Sequence, residues 1–284
     1  MVASDFATIK FLLFASPDVC SIRRKRSCES IKIQASGAVC WLALYERDKF
    51  FQKNYWYATR QMGVGSLLVL PLWTIYQAGV FLFSHSGLHA RTGLDDLLTR
   101  SCTTWSLPAY SSTLLVFGIF VLLLVFPANR EALSRVRAVY FPYMLLESII
   151  YAAVFGIAVG GVTEFLLSVG EHVETVKLAT LVSHLGAGIY EELFFRVILF
   201  AGLARAARKI RGSGPRLRYG TASVISSLLF AGFHYWFWFG EAFGVHTFLF
   251  RFLAGVALCA LFMLRGFGIT VYTHALYNVF LMFR

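Results

Sequence analysis

Charged residues are scarce in this sequence: Asp, Glu, Lys and Arg together make up 14% of its 284 residues. A soluble domain carries roughly 25% of them. Hydrophobic residues account for 58% and aromatic residues for 17%, and this apolar excess needs an apolar surrounding other than a protein core. The composition therefore excludes an ordinary soluble domain and predicts a protein that spans a lipid bilayer.

Paired cysteines and a signal peptide are also missing. The five cysteines include no C-x-x-C pair, which excludes a zinc knuckle and a thioredoxin-like redox motif. Lys10 interrupts the apolar residues 6–15, and the basic run 23–26 follows them, whereas a signal peptide carries its positive charge first. We interpret residues 1–60 as a cytoplasmic or interfacial arm and residues 61–284 as an integral-membrane helical domain.

Acidic residues are fewer than basic ones, and the net charge is +11. The Lys and Arg residues stand in the loops between apolar runs, where such residues set membrane topology and contact anionic headgroups. This distribution is not that of a nucleic-acid-binding surface. We therefore expect the lipid bilayer, and no nucleic acid, to be a partner.

Apolar runs of about 20 residues, the length that crosses a membrane, recur along the chain. They predict an all-α, polytopic membrane helical bundle with about seven transmembrane helices, within a range of six to eight. In the fourth run, Gly186 and Gly188 predict a close approach between neighbouring helices. The predicted spans cover about residues 63–84, 108–126, 140–166, 177–203, 219–239, 244–264 and 266–283.

Basic and non-basic loops alternate between these runs. The loop after the third run contains Glu171 and Glu174, the next loop (residues 205–218) is the most basic, and Arg265 follows the sixth run. The positive-inside rule then places the N-terminus in the cytoplasm and, with seven spans, the C-terminus outside. We expect a multi-pass protein, in the inner membrane if its source is bacterial.

The fourth run carries charges that a membrane span rarely tolerates. Glu191, Glu192 and Arg196 are the only charged residues between Lys177 and Arg205, and each costs roughly 2.5–3.5 kcal/mol to insert. Glu192 and Arg196 are four residues apart, so they share a helix face and can pair. Glu191 is then not needed for this ion pair and is available as a general base. An apolar surrounding would make it a stronger base. A purely structural ion-pair network is the alternative.

Two further pairs of polar or aromatic residues lie on later runs. His234 follows Phe230 by one helical turn, and Asn278 follows His274 by one turn. A neutral imidazole and a carboxamide on one face are two directed donors that can hold an oxyanion. Their alternatives are a core histidine and an interhelical hydrogen-bond clamp. From their spacing to the basic loops, we expect all these groups near the midplane or in the cytoplasmic half, around one cavity open to the cytoplasm.

Two more charges, Glu147 and Arg251, fall inside the third and sixth runs. We expect them to pair with each other across the bundle or to line the cavity. A structural role is the preferred interpretation for both residues.

Three motifs therefore stand in order on separate apolar runs: E-E-x-x-x-R at 191–196, F-x-x-x-H at 230–234 and H-x-x-x-N at 274–278. Together they resemble the motifs of the CAAX prenyl endopeptidase type II family, also called CPBP or Abi. The resemblance covers about residues 177–284 and implies a protease core over about residues 140–284.

The resemblance also implies a mechanism and a role for each residue. Glu191 and His234 would activate the attacking water, and His274 and Asn278 would stabilise the oxyanion. The family is often described as metalloproteases, but its catalytic picture favours a metal-free glutamate mechanism. No cofactor is expected, and zinc held by Glu191, His234 and His274 is the alternative. The residues expected to support the site are Glu192, Arg196 and Phe230.

The predicted function is an intramembrane endopeptidase that acts on a peptide or protein substrate in the membrane. This substrate is expected to be lipidated or to carry a C-terminal sorting signal. A non-catalytic bacteriocin-immunity or scaffold protein of the same fold is the alternative. A proton-coupled transporter is a third interpretation, and the lack of two related halves in the sequence speaks against it.

Overall fold

The described part of the chain is entirely helical. It contains no β-strand, which confirms the all-α prediction for these residues. Most of the predicted N-terminal arm, residues 1–53, lies outside the described residues. The computed structural model describes residues 54–84, 86, 88–125, 133–134, 136–167, 178–210, 212, 214–235 and 242–282.

Nine α-helices follow a helical segment at residues 54–60 in the described part of the chain. Helix α5 continues without a break through a π-helical segment into α6, and a short 3-10 turn follows. The helices are α1 Met62–Ser84, α2 Gly93–Thr104, α3 Ser111–Val125, α4 Tyr140–Leu167, α5 Leu178–Glu192 with the π-helical segment Leu193–Phe200, α6 Ala201–Ala206, α7 Pro215–Phe233, α8 Val245–Arg265 and α9 Phe267–Leu281.

Each of the seven predicted spans coincides with a helix, the fourth with the continuous run from α5 to α6. Among the described residues, Met62–Ser84, Tyr140–Val159 and Val245–Arg265 are long and apolar enough to cross a membrane, and Ser111–Leu124 is a shorter apolar helix. The character of a helical membrane protein is confirmed, while the number of seven spans stays a prediction.

Helix α2 was not predicted, because its 12 residues are too short and too polar to form a span. It is fixed to the bundle by Asp95, whose side chain is fully buried. Asp95 accepts hydrogen bonds from the Tyr76 hydroxyl at 2.8 Å and from Arg91 at 2.7 Å. Arg91, which falls in a predicted loop, therefore has a structural partner.

Helix α9 is the central helix of the bundle. Its residues Phe267 to Ala275 are all buried, and it packs most extensively against α5 and α4, with further contacts to α1 and α8. Near its start, Gly65 of α1 and Gly268 approach so closely that a Cβ on Gly65 would lie 2.8 Å from the Gly268 nitrogen. Residues on α9 are thus surrounded by most of the other helices.

The outward faces of the helices are apolar. Phe81, Leu122 and Ile157 each expose about two thirds or more of their surface, and large aliphatic side chains are exposed along α1, α3, α4 and α7. Such extended apolar surface is unfavourable in water and suits contact with lipid. The exposed faces and the apolar helices together identify an integral membrane protein.

The two charges that were expected to pair, Glu147 and Arg251, do not do so. Glu147 on α4 pairs with Arg265 at the end of α8 instead, with one contact of 2.8 Å from Nη2 to Oε2 and a second from Nε to Oε1. The side chain of Arg251 lies over the ring of Tyr235. The preferred structural role is confirmed for Glu147, but its partner was not predicted, because hydropathy assigned Arg265 to a loop, whereas its side chain is buried. Arg265 is therefore a structural residue, and the topology inferred from the loops stays a prediction.

The helical segment 54–60 covers this ion pair. The Tyr55 hydroxyl donates to Glu147 at 2.6 Å, and Arg265 donates to the Thr59 hydroxyl at 3.2 Å. The guanidinium of Arg265 also stacks on the Trp56 ring, 3.6 Å from its centroid. The last residues of the predicted arm thus pack against the turn that joins α8 to α9.

We predict that Glu147→Gln lowers the free energy of unfolding by about 3–5 kcal/mol, because it leaves the buried Arg265 charge without a counter-ion. The amide keeps the shape of the side chain, so the loss reports the charge. The measurement is reversible unfolding in mixed micelles.

The matched control is Asp96→Asn, which breaks an i, i+4 ion pair with the exposed Arg100. Exposed pairs contribute less than about 1 kcal/mol. Equal effects of the two substitutions would contradict a structural role for the buried pair.

Candidate active site

The fourth predicted span changes its helical geometry at the site. The α-helix α5 ends at Glu192, and a π-helical segment runs from Leu193 to Phe200. π-helical turns are rare and occur often at functional sites, because they rotate the following side chains relative to an α-helix. Three charged residues of this region, Glu191, Glu192 and Arg196, are buried.

Glu192 and Arg196 form the predicted ion pair. Arg196 Nη1 lies 3.1 Å from Glu192 Oε1, and both side chains are buried almost completely. The guanidinium also lies over the Phe230 ring, 4.5 Å from its centroid, and donates a long hydrogen bond of 3.5 Å to the carbonyl of Gly255. A buried arginine is thus compensated by a carboxylate, an aromatic face and a backbone carbonyl.

His274 lies between the two adjacent glutamates. Its Nδ1 is 2.7 Å from Glu192 Oε1, and its Nε2 is 3.8 Å from Glu191 Oε2. An ionised carboxylate only accepts hydrogen bonds, so Nδ1 carries the proton that Glu192 receives. The second distance is too long for a direct hydrogen bond. The two nitrogens of one imidazole thus face two carboxylates.

This arrangement corrects the expected form of His274. A neutral imidazole has one N–H group, and in His274 that group is at Nδ1 and is used by Glu192. Nε2 of the neutral ring is then an acceptor and cannot donate to an oxyanion. Only the imidazolium form of His274 could serve as the predicted oxyanion donor.

His234 is oriented by its own helix. Its Nδ1 lies 2.9 Å from the carbonyl oxygen of Phe230, and because a carbonyl only accepts, Nδ1 is the protonated nitrogen. The Phe230 ring stands between the two histidines, with ring centroids 5.2 Å from His234 and 6.0 Å from His274. In the neutral form of His234, Nε2 is therefore the basic atom.

His234 directly follows the end of its helix. Helix α7 begins with Pro215 in its first turn and ends at Phe233, several residues earlier at both ends than predicted. His234 therefore follows the end of α7, roughly 28 Å along the axis from its start at 1.5 Å per residue. The position of His234 relative to the membrane midplane stays a prediction. Glu191 and His274 lie near the middle of their helical runs.

The three motifs contain seven predicted site residues, and the structure joins six of them by direct contacts. Asn278 is half-buried on α9, one turn beyond His274, and within the described part of the chain it forms no hydrogen bond to the other six. The connected residues are Glu191, Glu192, Arg196, Phe230, His234 and His274.

The predicted close approach at the two glycines of α5 is confirmed. A Cβ on Gly186 would lie 2.2 Å from the Tyr76 ring, and a Cβ on Gly188 would lie 2.7 Å from both the backbone nitrogen and the Cβ of Ala275. Gly188 precedes Glu191 by three residues, and Ala275 follows His274. This contact sets the distance between the helices that carry the glutamates and the histidine.

In the alternative interpretation Glu191, His234 and His274 hold zinc, and the structure shows how these three side chains are placed. Among the described residues, no three His, Cys, Asp or Glu side chains are arranged to hold a metal ion. Nδ1 of each histidine is directed to an oxygen of the protein, at Glu192 or Phe230. These hydrogen bonds leave Nε2 of each ring for another ligand, as in histidines that bind a metal, so zinc held by Glu191, His234 and His274 stays the alternative prediction.

Comparison with known proteins matches one family to the region of the site. The family model for Rce1-like type II CAAX prenyl endopeptidases matches residues 174–280, a range that contains all three motifs. The resemblance stated from the motifs is confirmed for this range, and the family is one of proteases. The searches of curated proteins and of solved structures returned no match.

We predict that Gly188→Ala destabilises the bundle by about 1–3 kcal/mol, because the added methyl group forces α5 away from α9. The measurement is the unfolding midpoint in detergent.

Gly202→Ala is the matched control, since a Cβ at Gly202 of α6 meets no atom within 4 Å. Alanine favours a helix over glycine by about 1 kcal/mol, so this variant should be neutral or slightly stabilised. A loss of stability in both variants would show that the effect is not specific to the contact with Ala275.

Proposed function

We propose that the chain is an intramembrane endopeptidase in which Glu191 activates water for attack on a peptide bond. The observation that carries this proposal is the position of His274, which has Glu192 at one ring nitrogen and Glu191 at the other, inside an apolar bundle. The Rce1-like family match over the same residues supports a hydrolase.

Glu191 is the general base of the proposed reaction. Its Oε2 and the Nε2 of His274 are 3.8 Å apart, so a single water molecule can contact both atoms at normal hydrogen-bond distances. Glu191 takes one proton from this water as its oxygen attacks the carbonyl carbon of the substrate. The same proton is then available for the amine that leaves when the C–N bond breaks.

Glu192 orients His274 in the proposed mechanism. A buried carboxylate bonded to Nδ1 fixes the tautomer and the orientation of a catalytic histidine, as in serine protease triads. When both ring nitrogens carry a proton, Nε2–H of His274 donates to the tetrahedral oxyanion, and the Asn278 carboxamide, one turn away, is the second donor. Two donors at the position of the developing charge stabilise the transition state more than the substrate.

The Arg196 cation compensates the Glu192 anion at 3.1 Å, which limits the cost of burying both charges. When Glu191 takes up the proton from water, the negative charge moves to the attacking oxygen and then to the oxyanion beside His274.

His234 is the second base in this proposal. The hydrogen bond from Nδ1 to the Phe230 carbonyl leaves Nε2 as the acceptor atom of the neutral ring. Together with Glu191, this nitrogen can hold the attacking water in the orientation needed for the reaction.

The substrate class and the setting are part of the same proposal. The substrate is a membrane-associated peptide or protein, lipidated or with a C-terminal sorting signal, since the reacting groups lie inside an apolar bundle. The protein is proposed to be multi-pass with its N-terminus in the cytoplasm, in the inner membrane if bacterial. A non-catalytic immunity or scaffold protein would use the same fold without needing the carboxylate of Glu191.

We predict that Glu191→Gln abolishes proteolysis, with a loss of at least roughly 100-fold, because the amide cannot accept the proton of water. The measurement compares the N- and C-termini of all membrane proteins in cells that carry the wild-type protein or the variant at equal abundance. Termini present only with the wild type identify the cleaved bond.

Asp96→Asn is the matched control, since it also removes one carboxylate but at the exposed helix α2. It should leave the pattern of termini unchanged. Identical termini for wild type and Glu191→Gln, in cells that depend on the protein, would overturn the protease and favour the scaffold or immunity protein.

We further predict that the purified protein keeps its cleavage activity when zinc is removed with a membrane-permeable chelator, because the proposed base is a carboxylate that needs no metal. Activity is measured on a peptide that spans the mapped cleavage site, before and after chelation and after zinc is added back. Loss of activity with the chelator and its return with zinc would replace this mechanism by the metal-dependent alternative.

A further inference from the structure

Ser226 lies outside the three motifs but contacts the π-helical segment that carries Arg196. It is buried on α7, one turn before Phe230, and its hydroxyl donates a hydrogen bond of 2.7 Å to the carbonyl oxygen of Phe195. Phe195 is the third residue of the π-helical segment. The bond therefore joins two helices at the point where the regular α-helical geometry is interrupted.

This carbonyl belongs to the peptide group that leads into Arg196. The side chain of Phe195 is fixed as well, since its ring packs edge-on against that of Phe230 with centroids 5.3 Å apart. The hydrogen bond and the ring contact both connect the π-helical segment to α7. The backbone position of Arg196 is thus set from outside its own helix.

Arg196 is linked to His274 through the side chain of Glu192. Arg196 lies 3.1 Å from Glu192, and the same Oε1 of Glu192 lies 2.7 Å from His274 Nδ1. Without the bond from Ser226, the π-helical segment would be free to shift relative to α7, and Arg196 would move away from the Phe230 ring and the Gly255 carbonyl. Such a shift would disturb the contact of Arg196 with Glu192 while Glu192 still bonds to His274.

We propose that Ser226 is a positioning residue of the active site: its hydroxyl holds the π-helical segment in the register that keeps Arg196 on Glu192 and so keeps His274 oriented. This inference rests on the proposed protease function. Ser226 acts through Arg196 and does not touch the reacting atoms.

The neighbouring Ser227 is the matched control. It is buried to the same extent on the same helix, but its side chain packs against Gly255 of α8, where a Cβ on that glycine would lie 2.9 Å from the Ser227 Cβ. Replacing either serine by alanine removes one buried hydroxyl from α7. Only the change at Ser226 removes a bond to the π-helical segment.

The test measures kcat and KM of the purified full chain on a peptide that spans the mapped cleavage site. For Ser226→Ala we expect kcat to fall at least tenfold and up to roughly 100-fold, with KM changed less than about twofold, since misplacing a catalytic group by about 1 Å costs up to about 100-fold. For Ser227→Ala we expect both constants within about twofold of the wild type. Rates are normalised to the folded fraction of each variant.

A double-substitution cycle separates positioning from general loss of stability. If Ser226 acts through the ion pair, the effect of Ser226→Ala on kcat should be much smaller in a Glu192→Gln background than in the wild type. Full additivity of the two effects would overturn the proposal. Should Ser226→Ala lower the folded yield, Ser226→Cys, which has a similar volume and a weaker donor, is used in its place with the same expectation.

The outcomes also distinguish this inference from the function on which it rests. No difference in cleavage between wild type and Glu191→Gln would overturn the protease itself. Loss of cleavage with Glu191→Gln, together with equal kcat values for Ser226→Ala and Ser227→Ala, would overturn only the positioning role of Ser226.

Discussion

The rest of the site depends on the burial of one ion pair, Glu192 with Arg196. Two charges in an apolar bundle are costly unless every charged group has a partner. Their partners come from three other helices: His274 on α9, the Phe230 ring on α7 and the Gly255 carbonyl on α8. The need to compensate this pair therefore brings four helices together, and the reactive groups are placed by the same contacts that make the pair tolerable.

A second buried ion pair fixes the start of the helix that carries His274. Glu147 and Arg265 join α4 to the turn before α9, and the segment 54–60 covers them. At the turn itself, Gly266 has a φ of +81° and lies against the backbone of Arg60, so that a Cβ on Gly266 would lie 2.7 Å from the Arg60 carbonyl oxygen. Only glycine fits there, because a side chain would be strained and would collide. Helix α9 is thus held at its start by charge and backbone geometry and at its middle by Glu192.

The sequence predicts the features that depend on local spacing. Long apolar runs gave all seven helices that coincide with predicted spans, and the spacing of four residues predicted the Glu192–Arg196 pair. It could not predict features that depend on tertiary partners. Hydropathy does not distinguish a loop arginine from a buried one, so the partner of Arg265 was missed. The π-helical geometry, which adds one residue to a turn, and the early end of α7 before His234 likewise have no signal in a pattern of period 3.6.

The adjacent glutamates have a geometric explanation in this bundle. Consecutive residues of a helix point about 100° apart. The carboxylates of Glu191 and Glu192 can therefore lie on two sides of a ring that is placed between them. His274 is that ring, and each of its nitrogens faces one carboxylate. A single glutamate could either orient the histidine or act as base beside it, but not both, since each task occupies a different nitrogen. In the proposed mechanism the doublet divides the two tasks: Glu192, paired with Arg196, orients the histidine, while Glu191 takes the proton from water.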